Sequence, residues 1–135
     1  MTEVLVPVSA GELIDKITIL RLKSERIGDA SQLVNVRREL QALERVAAES
    51  LPDANGLDGL TGELQAVNTR LWEIEDSIRD CEAAGDFGPQ FVELARAVYI
   101  TNDRRSEIKR RINMLLGSAI VEEKSYADYG AGGDT

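Results

Sequence analysis

The residues best able to do chemistry gather where a hydrophobic pattern fails. Phe91, Leu94, Val98, Ile108, Ile112 and Leu115 keep helical spacing, but their register puts Thr101 and Arg105 where apolar side chains belong. Asn102 and Asp103 sit beside them. A buried polar group without a partner costs about 1–3 kcal/mol, and more if charged. This turn therefore meets either water or matching polar groups. The preceding helical stretch offers such groups. In an antiparallel hairpin turning near Gly85, Asn102 comes level with Asn68, which places Asn68 and Arg70 near Asn102 and Asp103. Glu73, Glu75, Asp76 and Arg79 fall nearer the turn, facing Glu93 and Arg96, with Trp72 between the two groups. The first helical stretch adds Asp15, Lys16 and Arg21. The candidate polar or ligand-binding cluster is Glu75, Asp76, Arg79, Arg96, Asn102, Asp103 and Arg105.

Three readings of that cluster stand side by side. It forms interhelical salt bridges that set register, or a small-anion or metal pocket between facing helices, or a surface for a partner. In the metal alternative, Glu73 and Asp76 make an ExxD pair, joined by Glu93 and Asp103 from the next helix. Such oxygen donors suit Mg²⁺, as in all-helical nucleotide phosphohydrolases. The ExxE that would precede the pair there is missing. No catalytic residue is assigned, and no cofactor is expected outside that alternative.

Composition narrows the chemistry further. The chain has no histidine, which removes Ser-His and Cys-His catalysis and imidazole ligation. Cys81 is the only cysteine, so no intrachain disulfide forms and a reducing, cytoplasmic setting is expected. Acidic residues number 24 against 16 basic, a net charge of −8, which argues against nucleic acid and anionic lipid as partners. The density of Arg104, Arg105, Lys109, Arg110 and Arg111 then reads as a solvated face that complements a helix C-terminus. No apolar run approaches the roughly 20 residues of a membrane span, and no signal peptide is read at the start.

The elements that must position the cluster are helices. The 135 residues suit one domain, with 43% hydrophobic, 30% charged and 4% aromatic residues, so the core is aliphatic. Residues 1–8 alternate Val4, Val6 and Val8 around Pro7, which reads as an extended arm lying on the bundle. Ser9 and Glu12 form a capping box, with Val8 and Leu13 as its hydrophobic staple. Leu13, Ile17, Leu20 and Ile27 then make one apolar stripe and Ile14, Ile19 and Leu22 a second, so this helix is central or covered by a partner chain. Gly28 ends it and Asp29 caps the next helix, which carries Leu33, Val36, Leu40, Leu43 and Ala47 and stops before Pro52. Leu57, Leu60, Leu64, Val67, Leu71, Ile74 and Ile78 form an unbroken seam, a third helix about 38 Å long at 1.5 Å per residue. Gly85 to Gly88 turn the chain, Pro89 opens the fourth helix and Gly117 closes it. Ile120 and Val121 pack back, Tyr126 and Tyr129 anchor the tail, and residues 130–135 fray.

Four segments carry a family resemblance: SAGELIDKITIL from Ser9, LWEIEDSIR from Leu71, VYITNDR from Val98 and EEKSY from Glu122. Together they resemble a small bacterial and phage family of unknown function, sometimes appended to tetratricopeptide or glycosyltransferase-type proteins. The resemblance implies a stand-alone helical module and brings no catalytic residues. The first helix also resembles, superficially, the opening helix of all-helical chorismate mutases, with Lys16, Arg21 and Arg26 as the cations that chemistry would need. No further motif of that family follows. The expected architecture is all-α, an antiparallel up-down bundle of four helices or helical hairpins. The expected role is a helical interaction or scaffold module that self-associates.

Overall fold

The computed structural model describes residues 2–125, and four helices account for most of them: α1 (Ala10–Arg26), α2 (Ala30–Ser50), α3 (Leu57–Ala84) and α4 (Pro89–Leu116). Among the described residues there is no strand. Tyr126, Tyr129 and residues 130–135, expected to anchor and fray, lie outside the described residues.

The ends of the helices follow local chemistry. The Ser9 hydroxyl accepts from the Glu12 amide at 3.0 Å, and the Asp29 carboxylate accepts from the Gln32 amide at 2.9 Å. Pro89 occupies the first turn of α4, where its missing amide leaves nothing unsatisfied. Gly85 and Gly117 close α3 and α4 in the left-handed region, at φ 67° and 62°, where a side chain would be strained. Two termini differ from expectation. The capping box is one-sided, because the Glu12 carboxylate turns away to Lys109 at 3.1 Å. And α1 ends at Ile27 in extended backbone at φ −79°, one residue before Gly28.

Packing places α1 at the centre of the fold. α3 and α4 form the most extensive helix pair, and α1 lies against both, with α2 along a further side of α1. This explains the two apolar stripes of α1 from within the chain: Leu13, Ile14, Ile17, Leu20 and Leu22 are all buried. Leu64, Ile74, Ile108 and Ile112 are fully buried at 0% exposure, and burying such a side chain contributes about 1.5–3 kcal/mol. α2 approaches α1 alone, and its stripe is correspondingly half-covered, with Val36 its one buried residue.

The arm is a correction. Residues 2–8 form no helix or strand, and Val4, Leu5 and Val6 are not packed on the bundle: they are 77%, 84% and 68% exposed. Val8 is 39% exposed, so it staples little. None of the described residues covers those side chains.

Candidate functional site

The polar interruption on α4 meets its counterpart on α1. Asp15 is buried in the middle of α1, its side chain 1% exposed. Its Oδ1 accepts from Asn68 Nδ2 on α3 and from Arg105 Nε on α4, both at 2.9 Å, and its Oδ2 accepts from Arg105 Nη2. One carboxylate thus joins three helices, through a two-pronged guanidinium contact of the strong kind. Thr18, one turn along, donates to the Asp15 carbonyl at 2.7 Å and accepts from Asn68 at 2.9 Å. Gln65 donates to the Thr18 carbonyl at 3.1 Å, and Arg105 Nη1 donates to Asn102 at 3.3 Å. Among the described residues, no buried side-chain nitrogen or oxygen lacks a partner. The carboxylate of Asp15 holds the Arg105 guanidinium above its ordinary pKa, against the opposing effect of burial.

A cleft of about 340 Å³ opens beside this junction, between α1 and α3. Ile19, Leu22 and Leu71 give it an apolar floor, Asn68 and Arg105 its back, and Trp72, Glu75, Asp76 and Arg79 its rim. Arg79 pairs with Glu75 at 3.1 Å, one helical turn apart. Asp76 has no ion pair among the described residues. Both arginines of the cleft therefore already face carboxylates, and the remaining charge is acidic.

A second polar junction seals the first turn of α1. The Gly11 amide donates to Asn113 Oδ1 at 2.6 Å and the Ala10 amide to Ser118 Oγ at 3.1 Å. The Ser9 hydroxyl donates to the Glu122 carboxylate at 2.6 Å. These contacts satisfy the unpaired amides of a helix start and put a carboxylate at its positive end. Burial pushes the Glu122 carboxyl up, but Ser9, the backbone, Lys109 and Asn113 together hold it below its ordinary value. Gly11 is required here: a Cβ would stand 2.5 Å from the Lys109 carbonyl oxygen.

Of the seven residues in the expected cluster, Glu75, Asp76, Arg79 and Arg105 line the cleft, and Asn102 stands behind it through Arg105. Asp103 turns away to pair with Lys124, and Arg96 is exposed on α4, away from the cleft. The four acids of the metal alternative are not gathered: Glu73 faces Arg26 at 3.7 Å, Asp103 faces Lys124, Glu93 is exposed and Asp76 is on the cleft rim. Among the described residues, no group of three or more His, Cys, Asp or Glu side chains is placed to hold a metal ion. Lys16, Arg21 and Arg26 do not converge either. Lys16 is exposed and Arg21 faces Glu44 at 3.1 Å.

Asp15 and Asn68, expected nearby but outside the seven, stand at the centre of the junction, and Thr18 was not expected at all. A signal existed for them. Asp15 and Thr18 share one face of α1 with the apolar Ile14 and Leu22, and Asn68 sits beside Val67 on the flank of the α3 seam.

The family model of DUF6165, a family of unknown function, matches residues 4–131, so the chain belongs to that family. No curated protein and no solved structure matches the chain. Both polar junctions, the cleft and the arm from Val4 onward lie within the matched span.

Proposed function

We propose that this chain is a helical interaction module whose cleft between α1 and α3 receives a basic side chain of a protein partner. One observation carries the reading: Trp72 and Asp76, which has no ion pair among the described residues, stand together on the rim, while Arg105 and Arg79 are already committed to Asp15 and Glu75. An aromatic face beside a carboxylate attracts an alkylammonium or guanidinium group through cation–π and ionic contact. The floor of Ile19, Leu22 and Leu71 suits the methylene stem of such a side chain, which buries while its charged head stays at the rim. The volume, about 340 Å³, is at the small end of ligand pockets and fits one side chain better than a nucleotide.

Trp72 is the only tryptophan, so its emission reports on the cleft directly. Titration with arginine amide should shift that emission saturably, and Asp76→Asn should abolish the shift. Inorganic phosphate, or nucleotide with Mg²⁺, should leave it unchanged. A saturable response to phosphate or to nucleotide with Mg²⁺, or none to arginine amide, overturns the reading in favour of the anion site or the closed salt-bridge seam.

The self-association expected from α1 loses its first support, because the chain itself covers both apolar faces of that helix. Its support now comes from the arm.

A further inference from the structure

Val4, Leu5 and Val6 form an unbroken apolar run exposed at 77%, 84% and 68%. Scattered exposed apolar residues are ordinary, but three in succession on an extended segment mark a contact surface. Pro7 fixes the backbone beside them, which lowers the cost of ordering the segment on a partner. The family match begins at Val4, so this run lies within the matched span.

A receptor of matching chemistry lies at the same end of the molecule. Between the first turns of α3 and the last turns of α4 runs a groove of about 760 Å³, with Gly59, Leu60, Met114 and Leu115 as its floor and Arg110 and Arg111 on its edge. Met114 is 58% exposed. A Cβ at Gly59 would meet nothing within 4 Å, so the groove is open down to the helix backbone. The arm leaves α1 at Ser9, which is bonded to Glu122 just beyond the end of α4, so arm and groove share one pole of the fold. The acid of the arm is Glu3; at the groove's edge Arg110 faces Glu123 at 3.2 Å, whereas Arg111 meets Glu63 at a looser 3.9 Å, its one ion pair among the described residues.

We propose that two copies of this chain exchange arms, each laying residues 3–6 in the other's groove with Glu3 against Arg111. Such a contact is self-complementary and closes with two-fold symmetry. Seven residues, 2–8, reach at most about 23 Å, enough to cross to a neighbour packed pole to pole. One arm is a small interface. The two-fold exchange doubles it. The proposal deepens the interaction-module reading but uses neither Trp72 nor Asp76, so dimerisation without arginine-amide binding, or the reverse, tells the two apart.

Sedimentation velocity of the full chain at micromolar concentration tests it. The wild type should be a dimer, and Leu5→Asp a monomer with unchanged helical circular dichroism. Gly59→Leu, whose side chain enters open space in the isolated chain, should also be a monomer of full helicity. An equimolar mixture of Leu5→Asp and Gly59→Leu chains should partly restore dimer, because one intact arm can still meet one intact groove. Glu3→Arg should weaken the dimer at low salt and Arg111→Glu should rescue it. A wild-type monomer, whether its arm is solvated or folded into its own groove, overturns the proposal. So does a dimer that survives both Leu5→Asp and Gly59→Leu.

Discussion

The middle of α1 and its first turn are both sealed by polar side chains from α4, but by different physics. At the middle, Asp15 is a buried charge, and its burial is tolerable only because Arg105 and Asn68 bring a full opposite charge and donors from two other helices. At the first turn, the partners are backbone amides, met by the short acceptors of Ser9, Asn113 and Ser118 and by Glu122 at the helix end. The first junction specifies which helices meet; the second fixes where α1 begins and ties down the segment after α4. Removing a partner should therefore hurt most at the middle and least at the solvent-facing carboxylate.

The largest effect belongs to Arg105→Met, which leaves Asp15 buried without its cation. Urea denaturation should show a loss of about 3–5 kcal/mol, the usual cost of breaking a buried pair from one side. Next comes Gly11→Ala. Its Cβ would collide with the Lys109 carbonyl, so α1 and α4 must part, at about 1–3 kcal/mol by the same measurement. If Gly11→Ala proves neutral or stabilising, the close crossing is not as tight as described. Asn113→Ala removes the acceptor of the buried Gly11 amide and should cost about 1–3 kcal/mol without moving the helices.

The smallest effect is read from pH. The folded-state pKa of Glu122 is below its ordinary 4.5, so its contribution is present above that value and lost as pH falls through the lowered one. Glu122→Gln should lower stability slightly at neutrality and flatten the profile below about pH 4.5, so that variant and wild type converge in acid. An unchanged acid limb would show that Glu122 does not hold the chain to α1.

Much of this arrangement was legible in the sequence because each signal was local. The stripes from Leu57 to Ile78, the stops at Pro52, Gly85 and Gly117, and the caps at Ser9 and Asp29 depend on neighbours within a few residues. The defect at Thr101 and Arg105 was legible for the same reason. Its partner was not. Spacing along the α3–α4 hairpin predicts pairs between those two helices, while the groups that Arg105 answers lie on α1, 90 residues away in sequence. Nothing local ranks Asp15 above Glu75 as the partner of Arg105; burial does, and burial depends on α1 lying between α3 and α4. The same limit explains α2, whose stripe predicts a bundle helix but cannot say that it meets α1 alone. It explains the arm as well, since alternation shows an extended segment and not what covers it.

The central claim is that Asp15 and Arg105 form one unit, and a double-mutant cycle measures this directly. Arg105→Met, Asp15→Asn and the double variant are unfolded in urea at neutral pH. The account predicts that the double variant is more stable than Arg105→Met alone, because removing the orphaned charge relieves most of the damage. Losses that simply add, within about 0.5 kcal/mol, would contradict it.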